Sequence, residues 1–288
     1  MRESRSEYVQ VRGLNYHCRV WGDPGRPKLF LLHGFQDVSA SWQFTVDALQ
    51  RDWHIIAPDW RGYGLTDPSG QDTYWHPDLV ADLDVILDHY EPEFPAILIG
   101  HSMGGNTASI YAGAIPQRIA KFVNIEGLGA NPTPVEEAPR RYARWLQQIA
   151  RGSRQRPYMD FQDFAERMMS ENPRLTPERA MFLVRHWGRE EADGTVWRRA
   201  DPAHMYVKPN MFRVDEAKAC WQKIEAPVLW IEGAESRFVN SMRGEIDGYE
   251  DRLAAFQTLV DVVRVEAAGH NVHHDQPEAL AAAIENFL

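Results

Sequence analysis

An open, mostly parallel α/β sheet of eight strands, flanked by helices and carrying a helical insertion, is the fold this sequence predicts, and two patterns predict it. Short apolar runs bounded by turn residues alternate with stretches whose apolar residues recur every three or four positions. That alternation belongs to parallel sheets, whose strands are buried on both faces and are joined by helical crossovers. The second pattern is a break in the rhythm: about a hundred residues separate Glu126, the end of one apolar run, from Val228, the start of the next. An ordinary crossover is far shorter, so the interval is read as a subdomain.

The chain opens with strand-like runs over Tyr8 to Val11 and Tyr16 to Val20, separated by Gly13, which is a hairpin pattern. Continuous apolar runs follow: LFLL (29–32), HIIAP (54–58), AILIG (96–100), KFVNIE (121–126), VLWIE (228–232) and VVRVE (262–266). Between them a helix is predicted over Asp78 to His89, where Leu79, Leu83, Ile86 and Leu87 share a face, and another over Pro277 to Leu288. Inside the long interval, residues 136–150, 160–170 and 177–187 read as amphipathic helices. Thr176 is a candidate N-cap for the third, with Pro177 at its first position. The predicted division is a core formed by residues 1–128 and 223–288 and a helical cap over residues 129–222.

Composition narrows the class. A chain of 288 residues with 44% hydrophobic and 25% charged residues can bury a sizeable core, which excludes disordered and low-complexity classes. The formal charge of -10 repels phosphate backbones, so nucleic acid is excluded as a partner. Cys18 and Cys220 are too few for a disulfide scaffold or a four-thiolate zinc site. The first residues, MRESRSEYVQVRG, lack an apolar signal region, and no stretch approaches the ~18 consecutive apolar residues of a membrane helix. The expectation is a cytoplasmic protein, monomer or homodimer, without stable membrane insertion. Ten tryptophans are the one excess.

The segment AILIGHSMGGNTASIYAGA carries a GxSxG pattern at Gly100, Ser102 and Gly104. It falls where an apolar strand ends and a helix of small residues begins, the sharp turn that lifts a serine hydroxyl above a sheet. Here the sequence resembles the α/β-hydrolase superfamily, over nearly the whole chain outside the insertion. LFLLHGF is similar to the family's oxyanion loop, which implies that the backbone N–H groups of Phe35 and Met103 form the oxyanion hole. Such a donor typically lowers the barrier by ~3 to 4 kcal/mol. PDWRGYGLTD (58–67) resembles the family's DxRGxGxS loop with Thr66 in place of serine, and Asp59 and Arg61 are read as structural.

A serine hydroxyl needs a neutral imidazole to take its proton. His270, in AAGHNVHHDQPEAL, resembles the family's GHxxxxExP signature and lies after the serine in the order the family uses. His273 and His274 are expected at a helix start or in solvent, His33 and His101 as packing residues beside the catalytic loops, and none as a metal ligand. The acid departs from the common pattern. Most relatives place an Asp where this chain has Ser236, in VLWIEGAESRF. Three carboxylates compete for the role: Glu126 at the end of one strand, Glu232 at the end of the next core strand, and Glu235 beside Ser236. Glu126 is preferred, because haloalkane dehalogenases and lactone hydrolases include members with their acid at that strand end.

A serine nucleophile implies acyl transfer and no metal or organic cofactor. The leading expectation is hydrolysis of a small-molecule carboxylic ester or lactone through an acyl-enzyme. The alternatives are a carbon-carbon bond hydrolase of ring-cleavage products and a binding protein that kept the fold without turnover. Trp42, Trp145 and Trp187 are candidate pocket residues, which favours an apolar or aromatic substrate. The arginine-rich segment RRYARWLQQIARGSRQR reads first as a solvated helix face, and second as a site that draws an anionic substrate or faces a membrane surface.

Overall fold

The computed structural model describes residues 1–130, 133–152, 155–210 and 212–288. Its strands, in chain order, are β1 (Ser4–Val11), β2 (Leu14–Trp21), β3 (Lys28–Leu32), β4 (His54–Pro58), β5 (Ala96–His101), β6 (Ile119–Ile125), β7 (Gly188–Glu190), β8 (Val196–Arg198), β9 (Val228–Gly233) and β10 (Leu259–Val265). The α-helices are α1 (Gln43–Ala48), α2 (His76–Tyr90), α3 (Met103–Ala114), α4 (Ala138–Arg151), α5 (Phe161–Glu171), α6 (Pro177–Trp187), α7 (Val214–Trp221), α8 (Arg237–Met242), α9 (Tyr249–Leu253), α10 (Val272–Asp275) and α11 (Pro277–Phe287). An eight-stranded sheet runs in the order β1-β2-β4-β3-β5-β6-β9-β10, and only β2 pairs antiparallel to its neighbours. No helix among the described residues is long and apolar enough to cross a membrane.

Side chains alternate across each strand, so one apolar run supplies two cores. On one face Phe30, Leu32, Ile56, Leu98, Phe122 and Trp230 pack with α2 and α3. On the other, Leu29, Leu31, Ile55, Ile99, Val123 and Leu229 pack with α1 and α11. Each such aliphatic or Phe side chain, fully buried, gains about 1.5–3 kcal/mol before conformational entropy is counted. β10 closes the sheet as an edge, and its exposed Asp261 and Arg264 suit a strand with one open side.

The interval between β6 and β9 holds α4 to α7 and the small antiparallel β7-β8 hairpin. Phe164, Met168, Leu183, Val184, Trp187 and Val196 form a third cluster with Val38 and Ala40, so the inserted helices sit on the loop that follows β3. This packing sets the insertion over the carboxyl ends of the central strands, where parallel sheets build their sites.

Candidate active site

The site starts at the β5–α3 turn. Ser102 takes φ 50 and ψ -112, a left-handed conformation costly for a residue with a Cβ, and its N–H donates to Ile125 O at 2.8 Å. Two glycines permit the turn. A Cβ on Gly104 would lie 2.2 Å from Leu32 O, and one on Gly100 would lie 2.7 Å from Gly104 O, so no side chain fits at either position.

His270 follows β10 in a loop anchored by His101, whose Nε2 donates to His270 O at 2.9 Å. Its Nε2 lies 3.0 Å from Ser102 Oγ and its Nδ1 lies 2.6 Å from Glu126 Oε2. With the proton on Nδ1, the imidazole donates to the carboxylate and presents a lone pair to the serine hydroxyl. Glu126 is fully buried just beyond β6, at φ 53. Gly233 N–H donates to its Oε1 at 2.8 Å, and Ser236 Oγ–H donates to its Oε2 at 2.7 Å. Asn124 pins the same turn, accepting from Gly127 N–H at 2.8 Å and donating to Gly127 O at 3.1 Å. Three donors on one buried carboxylate fix its direction.

The other two carboxylates are engaged elsewhere. Glu235 is exposed and ion-paired with Arg174. Glu232 accepts from Trp230 Nε1 at 3.0 Å and pairs with Arg243. Ser236, read from sequence as the place of a missing acid, caps α8 through Val239 N–H and donates its hydroxyl to the Glu126 carboxylate. Sequence reasoning missed this role of Ser236 and that of Asn124. The signal available was the pairing of a serine at the usual acid position with a glutamate at the neighbouring strand end.

Phe35 lies in the loop after β3 with its ring 46% exposed, and its N–H donates to no described residue. Met103 opens α3, where the first N–H groups have no acceptor within the helix. His33 shapes the loop: its Nδ1 donates to Gly34 O at 2.8 Å, and its Nε2 accepts from Trp60 N–H at 3.0 Å. Asp59 accepts from Ser39 N–H and Leu65 N–H at 2.6 and 2.9 Å, and Arg61 forms two 2.6 Å bonds with Asp82, the bracing expected of a structural loop. Thr66 replaces the family serine without loss, since its hydroxyl accepts from His17 N–H and donates to Asp59 O.

One expectation is corrected in part: His273 and His274 lie at a helix start, in α10, but both are buried rather than in solvent. Behind the triad, Asp37 accepts from His273 Nε2 at 2.9 Å, from Val38 N–H at 2.8 Å, from Trp187 Nε1 at 3.1 Å and from Ser41 Oγ. Burial would raise the Asp37 carboxyl, but the hydrogen bond from His273 and the His274 ring 3.6 Å away hold it well below its ordinary value. Burial also brings His273 down to about 4, so it stands neutral. Asp37, His273 and His274 have ligand-type atoms within 4.8 Å of one another and are the one such group among the described residues. The tryptophans expected at a pocket are placed as follows. A cavity of about 630 Å³ opens against the inserted helices, with neither Ser102 nor His270 in its lining, and Trp42, Trp145 and Trp187 are absent from that lining too, while Trp187 lines a smaller cleft with Gln36 and Arg198. Trp42 is fully buried against His273, Trp187 is committed to Asp37 and Ser41, and Trp145 donates to Thr73 Oγ1 at 2.7 Å. The lining comes instead from Gln36 of the loop after β3, and from Arg144, Arg151, Arg156, Tyr158 and Arg198 of the insertion. Arg154, also in the arginine-rich segment, lies outside the described residues.

The fold is that of an α/β hydrolase. The family described as alpha/beta hydrolase fold matches residues 27–277, and the chain belongs to it. It is 29% identical over 300 residues to a serine hydrolase-like protein of Danio rerio, covering 100% of this chain and 90% of that protein. It is 36% identical over 121 residues to epoxide hydrolase 4 of Mus musculus, covering 41% of this chain and 33% of that protein. Among solved structures, the thioesterase domain from the curacin biosynthetic pathway superposes with a TM-score of 0.86 at 20% identity, over 98% of this chain and 99% of that one.

Proposed function

We propose that this hydrolase cleaves a carboxylic acyl bond, in an ester, thioester or lactone, through an acyl-enzyme on Ser102. The observation that carries the reading is the unbroken chain of hydrogen bonds from Ser102 Oγ through His270 to Glu126. His270 Nε2 takes the hydroxyl proton as Oγ attacks the carbonyl carbon, and Glu126 stabilises the imidazolium that forms. The N–H groups of Phe35 and Met103 receive the negative charge that develops on the carbonyl oxygen. Collapse expels the alcohol or thiol, which takes the proton from His270. Water, deprotonated by the same imidazole, then releases the acid. Displacement at an alkyl or epoxide carbon uses a carboxylate in the nucleophile position, and Ser102 stands there. The helices between β6 and β9, within the predicted cap over 129–222, form the outer wall of the substrate space in this reading.

Labelling with a fluorophosphonate tests it. The wild-type protein is expected to be modified once, and Ser102→Ala not at all. Turnover of 4-nitrophenyl esters of varied acyl length, with lactones alongside, then defines the bond. A folded protein that takes no label and turns over no ester or lactone is incompatible with the proposal.

A further inference from the structure

The 630 Å³ cavity is lined by Arg144, Arg151, Arg156 and Arg198 and, among the described residues, by no carboxylate. In a chain of net charge -10 that is a local reversal of sign. Other arginines of the same insertion face outward and are neutralised by neighbouring glutamates: Arg140 by Glu137, Arg167 by Glu171 and Arg189 by Glu191. The cavity arginines have no such partner among the described residues.

Arg198 is the most constrained of them. It is half-buried, with its guanidinium 4.8 Å from the centre of the Phe164 ring and 5.4 Å from that of Trp187. Its Nε donates to Tyr158 Oη at 3.3 Å, and Nη2 reaches Met168 Sδ at 3.7 Å. Neither acceptor carries charge. A half-buried guanidinium resting against two adjacent rings and left without a counter-ion has donors free to meet an anion. The planar donors of arginine match carboxylate, sulfate and phosphate oxygens. Gln36 lines this cavity and follows Phe35, whose N–H serves the oxyanion in the acyl-hydrolase reading, so the cavity lies one residue along the chain from that loop position.

We infer that the cavity binds an anionic oxyacid group at the far end of the acyl chain, so that the substrate is an acyl ester or thioester terminated by a carboxylate, sulfate or phosphate. The inference rests on the acyl-hydrolase reading only for the bond that is cleaved. Arg198 holds the anion and the exposed Arg144, Arg151 and Arg156 draw it in, a long-range contribution that salt screens.

The test compares kcat/KM for two 4-nitrophenyl esters of equal chain length, the neutral hexanoate and the ω-carboxylate adipate, with a 6-sulfooxyhexanoate ester as a third arm. The adipate or sulfate ester is expected to exceed the hexanoate by about tenfold to a hundredfold, the range of charge-assisted hydrogen bonds. That ratio should collapse in Arg198→Gln, recover in part in Arg198→Lys, and decline in Arg151→Gln, an exposed position where folding is not at risk. It should also shrink in high salt. Which arm leads identifies the anion. A ratio near one in wild type, or a ratio unmoved by the arginine variants, overturns the inference. Direct binding keeps the two readings separable: adipate and hexyl sulfate are titrated into Ser102→Ala, following the fluorescence of Trp187 beside Arg198. Saturable binding lost in Arg198→Gln, with no ester turned over by wild type, retains the anion site and rejects the hydrolysis. Turnover of neutral esters with no anion binding does the reverse.

Discussion

In the proposed reading Glu126 takes the part of the usual aspartate, and Ser236, at that aspartate's position, donates to it. The Glu126 carboxylate spans the distance from the end of β6 to His270, and the Ser236 hydroxyl donates to the same oxygen that accepts from the imidazole. Glu126→Gln should therefore lower kcat by up to ~10⁴, the cost of losing the acid of such a triad. Glu235→Gln, which breaks only an exposed pair with Arg174, should leave kcat within about twofold. Ser236→Ala removes one of three donors to a buried carboxylate. A hydrogen bond to a charged group contributes ~1.5–3 kcal/mol, so kcat should fall by about tenfold with KM little changed. Wild-type kcat in Ser236→Ala would mean that Gly233 N–H and His270 alone fix Glu126. Ser102 and His270 were legible because the chemistry demands a strained turn and a histidine of fixed order, which the motifs record. The service of Ser236 was not, since sequence reports an absent carboxylate but not the direction of a hydroxyl. His273 and His274 misled for a related reason: their polarity suggests solvent, and only the buried Asp37 makes their burial possible.

Strands and helices were legible in proportion to their length and their burial. β4 is buried from end to end and apolar from Ile55 to Pro58 because both faces are covered, and α2 and α6 repeat their apolar residues with a helical period. The β7-β8 hairpin has strands of three residues each, too short for an alternation to stand out, and it forms because Val196 and Trp187 close the third core. How an element is fastened to its neighbours was less legible. Asp82 on α2 is fully buried and binds Tyr16 Oη, Arg12 and the Nε–Nη2 edge of the Arg61 guanidinium, joining α2 to β2 and to the loop after β4. Asp82→Asn should cost ~3–5 kcal/mol, the consequence of leaving a buried cation without its partner. Asp88→Asn, at an exposed pair with Arg118 on the same helix, should cost under ~1 kcal/mol. Urea unfolding of the two variants measures both, and equal midpoints would show that the Asp82 network does not brace the fold.

Buried neutral histidines give the whole molecule a pH-dependent stability with a definite sign. Burial is the leading cause in each case: it brings His76, His186 and His273 from 6.5 to about 4, and His204 to about 3. Protons bound only on unfolding favour the unfolded chain, so between pH 6.5 and about 4 the unfolded state takes up more protons and stability falls as pH falls. Asp37 extends the loss. Its folded value lies well below the ordinary 3.8, so its contribution is present above 3.8 and disappears as pH drops through the folded value. The two windows run in sequence and in the same direction, which predicts a Tm that is level above pH 7 and declines steadily below pH 6.5. His204 isolates one part of this. It stacks between Tyr63 and Tyr74 at centroid distances of 3.9 and 3.6 Å, and its Nε2 donates to Arg61 O at 3.0 Å. His204→Gln removes one titrating group. Whatever it costs in absolute stability, the slope of unfolding free energy against pH between 6.5 and 4 should drop by about one proton, or ~1.4 kcal/mol per pH unit. Urea unfolding at pH 7.5, 6.5, 5.5 and 4.5 reads that slope directly. A wild-type stability that is flat across this range, or a variant with the wild-type slope, would show that these rings exchange protons in the folded protein as freely as in the unfolded chain.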